Sequence, residues 1–292
     1  MIGVSLVGVD GSQWDLRRGQ VVLGPGAEGF GLPKFDRPTT ESPARDGQQL
    51  QGVGSRALAR SGILPMVMLE QATDLAWLAL QRAWWAAWSP DLPCTLAVTD
   101  PAGGVRSLKV FLDSDDGYSL DDEPSIALFE KLPTSWVADD PWYRGPVQSQ
   151  RIDVPTGGDW LAGGTAPPFQ FQPAATTGAG TLSNPGEVPA WPVYTVGAGA
   201  TSFSVTVNGQ TTAGTITVPT GGRLVIDTDP SAQTILLYAS DGSVTTISYS
   251  QLSAVAFAPI PVGGSVPVTT AVTGGNGSSI TVAIEPRYRR AF

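Results

Sequence analysis

The stretch Gln71–Ser89, QATDLAWLALQRAWWAAWS, commits this chain to a helix, the single helix the sequence announces. Thr73 is placed to cap it, since a threonine hydroxyl accepts from an unpaired N–H of the first turn. Asp74 follows where the helix dipole favours an anion. Pro90 stops the helix, having no N–H and a ring that clashes with the preceding turn. At 100° per residue, Trp77, Trp84 and Trp88 fall on one stripe with Leu80 at its edge. Ala76, Ala79, Ala83, Ala86 and Ala87 form a second stripe. Asp74, Gln81 and Arg82 take what remains, beside Leu78 and Trp85. Most of the circumference is apolar, so the helix is expected to be largely buried, with its alanine face close against a sheet. The tryptophans have two readings. They are either a platform for a ligand or the filling of a core or subunit interface, and aromatic side chains dominate core and interface burial.

Outside this stretch, 35 glycines and 25 prolines punctuate the chain and break it into many short strands. No uninterrupted apolar window is long enough to span a bilayer. The N-terminal MIGVSLVGVDG has neither a basic leader nor a cleavage site, so no signal peptide is expected. Cys94 is the single cysteine, which excludes an intrachain disulfide and a four-cysteine metal site. There is no histidine. Its absence removes the Ser-His-Asp and Cys-His arrangements, His-ligated zinc and the usual general base near neutral pH. A net charge of −9 argues against nucleic-acid binding, which needs a basic surface.

In chain order, Ile2–Val9, Asp10-Gly11 and Gln13–Leu16 read as strand, two-residue turn and strand. Gln20–Leu23 is another short strand. Gly24–Pro43 is an extended arm or long loop. Ile63–Leu69, Cys94–Thr99, Val105–Leu112 and Ser125–Leu132 are strands, and Ala138–Tyr143 follows after a gap. Pro155–Pro168 is a connector rich in glycine and proline, and Ala174–Gly180 is small and polar. Beyond Trp191 the candidates are Val193–Val196, Phe203–Val207, Thr211–Val218, Arg223–Thr228, Thr234–Tyr238, Val244–Tyr249, Val255–Phe257, Val266–Val272 and Ser279–Ile284. Asn208-Gly209 and Asp241-Gly242 make hairpin turns. Short strands at this spacing predict a β-sandwich.

Candidate chemistry is sparse. The acidic run Asp113–Glu123 offers oxygen ligands suited to calcium. Its spacing fails the EF-hand pattern, because Tyr118 stands where glycine is needed and Pro124 where the last carboxylate is needed, so a solvated loop is the simpler reading. Asp121-Asp122 and Asp139-Asp140 are adjacent carboxylates, whereas a glycosidase pair flanks the bond from separate elements. Gly197-Ala-Gly-Ala200 has no helix after it and cannot cradle phosphate. Trp191 and Tyr194 are candidates to stack on a sugar ring, or to pack at the start of a strand. Arg287, Arg289 and Arg290 are either a solvated tail or a contact with an acidic neighbour.

Several segments together resemble the distal tail proteins of long-tailed bacteriophages, known as minor tail proteins in phages of actinobacteria. Val9–Leu16, VDGSQWDL, resembles the family's opening hairpin. The tryptophan-rich helix, followed by Leu96–Asp100 and a Gly-Gly hairpin, resembles the single helix of its first domain. Ala138–Gly145, ADDPWYRG, resembles the motif that closes that domain. In the second half, Asn184–Val193, Arg223–Asp229 (RLVIDTD), Phe257–Gly263 and Arg287–Phe292 (RYRRAF) resemble the opening run, central strand, late turn and tail of the second domain. Val262-Gly263-Gly264-Ser265 departs from the family's usual proline-glycine-x-asparagine turn.

The resemblance implies a mainly β protein. A β-rich belt domain over 1–145 would hold one helix near 71–89 and be completed by 285–292. A connector rich in glycine and proline and the start of the second domain would run over 146–182, and a galectin-like or carbohydrate-module-like β-sandwich over 183–292. It implies a structural, non-enzymatic role in the virion, at the distal end of the tail. There a hexameric ring would join the tube protein to a tip or baseplate hub protein, after synthesis in the host cytoplasm. No catalytic, cofactor or metal residue carries over. Trp77, Trp84, Trp88, Trp191 and Tyr194 are the candidate interface or ligand aromatics. The alternative is an adhesion module that binds a glycan of the host surface.

Overall fold

Period-two alternation sets most of the strands. Along Cys94–Thr99, residues Cys94, Leu96 and Val98 are buried, while Thr95, Ala97 and Thr99 stay half-exposed. The computed structural model describes residues 2–41, 48–50, 54–114, 130–153, 175–274 and 278–292. It is mainly β and divides into two compact units, Met1–Gly145 with Tyr288–Phe292, and Pro146–Arg287.

The first unit is built on one antiparallel sheet. Its order is Gln13–Asp15, Gly3–Val7, Cys94–Thr99, Val105–Ser114, Glu130–Ala138, Arg60–Met68, Val21–Leu23, with the short strands Tyr143–Arg144 and Arg287–Tyr288 attached. Leu23 N donates to Leu16 O at 2.7 Å, so the two ends of the sheet nearly meet and it curls toward a barrel. Leu6, Leu64, Met66, Leu96, Leu108, Leu132 and Trp136 fill the inside. The first hairpin closes with a three-residue loop, not the two-residue turn expected from Asp10-Gly11. Gly8 N donates to Ser12 O at 2.9 Å and Gly11 takes a φ of 82°. Asp10 favours this longer turn because its Oδ1 accepts from both Ser12 N (2.9 Å) and Ser12 Oγ (2.6 Å). Part of the stretch Gly24–Pro43 is paired: Phe35–Asp36 pairs with Arg56–Ala57, and Thr39–Glu41 with Gln48–Leu50.

The helix runs over Asp74–Ala86, shorter than 71–89. Thr73 Oγ1 accepts from Ala76 N at 3.2 Å, which fixes the start. Past the other end, Ser89 Oγ accepts from Asp91 N and Leu92 N, both at 3.1 Å, in a turn that includes Pro90. The expectation that the helix is largely buried is wrong. Within it only Trp84 is buried outright. The alanine stripe does not meet a sheet: Ala76, Ala79, Ala83 and Ala86 are exposed, and Leu75 at the edge of the stripe is 73% exposed. The tryptophan stripe is the inward face, and one layer of sheet covers only that face. Ala87, just past the helix, is the alanine that packs inside, and its carbonyl accepts from Val9 N at 2.9 Å.

One strand boundary follows from a pair of prolines. The described part of the expected Ser125–Leu132 strand starts at Glu130 and continues through Pro133 to Ala138. Ala138–Tyr143, expected as a separate strand, instead ends this one and turns. Proline normally interrupts a ladder, but here Pro133 sits directly opposite Pro65. Pro65 O points the other way and accepts from Gly24 N at 2.7 Å, so the two prolines occupy a pair that exchanges no hydrogen bonds.

The second unit holds two antiparallel sheets, as expected of a β-sandwich. One runs Gln148–Asp153, Ser279–Ile284, Val193–Gly197, Arg223–Asp227, Ile235–Tyr238, Val244–Thr246. The other runs Ala175–Ser183, Ser265–Gly274, Ala200–Val207, Gln210–Gly214, Leu252–Ala254. Tyr194, Val205, Leu224, Ile226, Val268, Ile280 and Val282 lie in the core between them. Asn208 and Gly209 form the expected two-residue turn, with φ of 50° and 76° between the paired Val207 and Gln210. Val244–Tyr249 shortens to Val244–Thr246, and Val255–Phe257 gives way to Leu252–Ala254. Two strands fall in 146–182, the stretch expected to hold the connector and the start of the second domain: Gln148–Asp153 and Ala175–Ser183. The second is built of small residues because its glycines admit their neighbours. A Cβ at Gly178 would come within 2.3 Å of Ile152, and one at Gly180 within 2.7 Å of Gln150.

The motif segments of the second half are structural in this unit. Asn184 is buried and satisfied: its Nδ2 donates to Val188 O (2.9 Å) and Ile260 O (3.1 Å), and its Oδ1 accepts from Gly186 N (2.9 Å). Asp229 pairs with Arg287 and also accepts from Ser231 N and Oγ. Burial alone would raise the Asp229 carboxyl, but these hydrogen bonds and the Arg287 charge outweigh it and hold it below the ordinary 3.8. A depressed carboxyl stabilises the fold above its unfolded-state pKa, and that stability is lost as pH falls through the lower folded value. The melting temperature of the second unit is therefore expected to fall below pH 3.8. Asp229→Asn should start from a lower melting temperature and lose less on acidification, as measured by circular dichroism across pH.

Candidate functional site

The tryptophan stripe is organised by the sheet beneath it. Trp84 is fully buried, and its Nε1 donates to Thr134 Oγ1 at 3.4 Å. Trp14 meets it edge-on, with ring centroids 5.3 Å apart at 87°, and Trp88 packs 5.7 Å away at 66°. Trp88 is buried and Trp77 half-buried, both within the same core. One turn earlier, Gln81 Nε2 donates to both carboxylate oxygens of Glu130, at 3.1 and 3.2 Å. These aromatics are core filling, and none of the three forms an open platform.

A second constellation was not anticipated. Arg60 is only 2% exposed. Among the described residues its guanidinium is held by backbone carbonyls: Nε to Pro141 O (2.8 Å), Nη1 to Gly29 O (2.7 Å) and Gly31 O (2.6 Å), Nη2 to Arg289 O (2.8 Å). The Tyr143 ring lies 4.9 Å from its centre. Tyr143 OH also donates to Gly29 O, at 3.3 Å. Burial lowers the arginine pKa and raises that of the tyrosine, yet arginine stays charged in a protein. Arg60 thus ties a loop, the ADDPWYRG segment and the last residues of the chain into the first unit. Arg106 adds to the clasp: its Nη1 donates to Arg290 O at 3.0 Å, and it stacks 4.0 Å over Tyr288. Ala291 is buried, with its N–H on Phe30 O at 3.1 Å.

The sequence did carry a signal for Arg60. Along Arg60–Met68 the inward positions are Arg60, Gly62, Leu64, Met66 and Met68, so the alternation that marks this strand as core also puts an arginine inside. Of the tail arginines, Arg287 pairs with Asp229. Arg289 and Arg290 serve through their main-chain carbonyls, while their side chains are exposed. Removing 288–292 should cost the first unit about 2–4 kcal/mol through the lost carbonyls and the lost Ala291 contact. Its unfolding transition should move down while that of the second unit stays, which scanning calorimetry reads directly.

The other candidates divide. Tyr194 is fully buried in the sandwich core, so it offers no stacking surface; Trp191 is half-buried. Asp140 pairs with Arg144 at 3.0 Å and accepts from Trp142 N, which makes it a brace of the local turn. Of the acidic run Asp113–Glu123, residues 115–123 lie outside the described residues, and so does Asp121-Asp122. Among the described residues no three His, Cys, Asp or Glu side chains gather as a metal site. Among them, too, no helix is long and apolar enough to cross a membrane. A shallow groove of about 430 Å³ lies on the smaller sheet of the second unit, lined by hydroxyls and small side chains such as Thr177, Ala179, Ser204, Thr206, Thr269 and Ala271.

Both units match solved structures along their length. The chain superposes on the Dit protein (gp 19.1) of phage SPP1 with a TM-score of 0.57 and 11% identity, over 98% of this chain and 99% of that one. The chain has the Dit fold. It also superposes on a chain of the phage P2 baseplate in its activated conformation with Ca, with a TM-score of 0.52 and 9% identity, over 97% and 98%. In sequence it is a relative of Minor tail protein Gp27 of Mycobacterium phage L5, 30% identical over 145 residues. That match covers 48% of this chain and 43% of the relative, so less than half of the relative's length is spanned. No family model matches. The SPP1 protein is described as a paradigm of the hub adsorption apparatus in phages infecting Gram-positive bacteria.

Proposed function

We propose that this Dit-fold chain is a non-enzymatic structural component of a long-tailed phage virion. It would form the ring that joins the distal end of the tail tube to the tip or baseplate. The observation that carries this reading is the coverage of the Dit fold, 98% of the chain across both units, beside a sequence relative that is a minor tail protein. Each alone is weaker, since a shared fold hosts several functions. Together they point to one assembly. The buried aromatics and the clasped C-terminal tail agree with a role in which rigidity, not chemistry, is selected. Antibodies against the chain should decorate the distal end of the tail in intact particles; labelling elsewhere, or none on opened tails, would refute the placement.

A second reading has one observation in its favour. The groove on the smaller sheet is uncharged and rich in hydroxyls, which suits a neutral polyhydroxylated ligand such as a host-surface glycan. Calorimetric titration of neutral cell-wall oligosaccharides into the protein tests it, with Thr206→Tyr filling the groove. Binding abolished by that variant supports adhesion, and no heat of binding dismisses it.

A further inference from the structure

Among the described residues the two sheets of the second unit have four edges, and three of them are blunted against pairing with another chain. Gln148–Asp153 carries Arg151 and Asp153, an ion pair between exposed side chains. Val244–Thr246 and Leu252–Ala254 are three residues each. Charges and short length are what keep an edge from acting as a template for a further strand. Ala175–Ser183, the fourth edge, has neither. It is nine residues long, holds no charge and no proline, and pairs with Ser265–Gly274 without a register shift. Thr177, Ala179 and Thr181 are exposed on the outer face. Gly178 and Gly180 face inward against Ile152 and Gln150, yet remain half-exposed.

The ladder dictates which main-chain groups this edge presents. Val207 and Gln210 close the two-residue turn and exchange hydrogen bonds, so Ser204 and Thr206 direct theirs the other way, to Ala271 and Thr269. Pro267 is in step with these two, and its carbonyl accepts from Asn208 N at 3.4 Å. The residues between them, Val266, Val268 and Thr270, therefore direct their groups to Leu182, Gly180 and Gly178. That leaves the N–H and C=O groups of Thr177, Ala179 and Thr181 pointing out of the edge. Among the described residues no strand pairs with them.

The residues of the edge select its occupant. Thr177-Gly-Ala-Gly-Thr181 reads the same in both directions about Ala179. Let two copies meet antiparallel across a two-fold axis at Ala179. Ala179 then stands opposite its own equivalent and Thr177 opposite Thr181, and each outward N–H of one copy meets an outward C=O of the other. Threonine opposite threonine is a favourable cross-strand pair, glycine meets glycine on the inner side, and the strand itself brings no like charges together. We infer that Ala175–Ser183 pairs with the same strand of a second copy of this chain, which joins the smaller sheets of the two copies into one. Neighbours in a head-to-tail ring share one polarity, so a two-fold contact does not lie between them. It joins two rings, or two chains where no ring forms. The inference thus goes beyond the ring reading and does not depend on it.

Sedimentation of the full chain over a range of concentrations tests it. The variants are Ala179→Lys, Ala179→Glu and an equal mixture of the two, each purified before mixing. Ala179 is exposed, so both should keep the wild-type melting temperature. The wild type should double its mass as concentration rises, from one chain to two or from one ring to two. Each variant alone should stay at the undoubled mass, because position 179 then faces its own charge across the axis. The mixture should recover the doubling, since lysine then faces glutamate. A wild type that never doubles, a single variant that doubles as the wild type does, or a mixture that stays undoubled would overturn the pairing. The mass that doubles, 30.4 kDa or that of a ring, reports on the ring reading separately. As a second readout, Ala179→Cys treated with a short bifunctional thiol reagent should give cross-linked dimers and nothing larger, on a low background because Cys94 is buried. Single chains only, or a ladder of larger multimers, would count against a two-fold contact at Ala179.

Discussion

Replacing Arg60 by methionine is expected to destabilise the first unit by about 3–5 kcal/mol. Four backbone carbonyls, on Gly29, Gly31, Pro141 and Arg289, accept from this one guanidinium. Methionine fills similar volume but donates nothing, so those acceptors lose their charged partner in a site with little room for water. Each unpaired buried acceptor costs about 1–3 kcal/mol, and partial rehydration of the tail returns some of that. In a unit of this size the melting temperature should fall by about 10 °C or more. Lysine should rescue little, because an ammonium cannot present the planar fork that serves three chain segments at once. A methionine variant that melts with the wild type would show that the clasp is incidental. One whose second unit also melts lower would show that the two units do not unfold independently.

Trp84→Ala carries the other large effect, about 3–5 kcal/mol. Trp84 is buried completely and touches Trp14, Trp88 and Thr134, so its loss leaves a cavity between helix and sheet that rigid neighbours cannot fill. The contrast with Leu75→Ala on the same helix is informative. Leu75 is 73% exposed in the single chain, so its replacement should change unfolding by less than about 0.5 kcal/mol. Urea unfolding followed by tryptophan fluorescence compares the two. Equal losses would mean that the helix is covered on both faces in solution, and an unchanged midpoint for Trp84→Ala would remove it from the core.

The sequence disclosed those elements whose cause is local. Thr73 caps the helix as its chemistry requires, Asn208-Gly209 takes the φ values such a pair favours, and Cys94–Thr99 alternates as read. What it hid depends on distant partners. Gln148–Asp153 is polar and Ala175–Ser183 small, and both are strands because Ser279–Ile284 and Ser265–Gly274 lie beside them. Pro133 looks like a strand end until Pro65 is found opposite. The helix misled in another way. Periodicity showed that both stripes are apolar, but it cannot say which stripe the sheet covers, and the alanine side proved to be the open one. Arg60 is the sharpest case: the alternation put it inside, while its four acceptors come from positions 29, 31, 141 and 289 that no local pattern connects.

Particle mass in solution, taken by light scattering with negative-stain images of the same fraction, tests the ring most directly. A closed ring with a central hole and a mass of about six 30.4 kDa chains is the expected result. A species of 30.4 kDa that persists at every concentration, with no ring in the images, would contradict it.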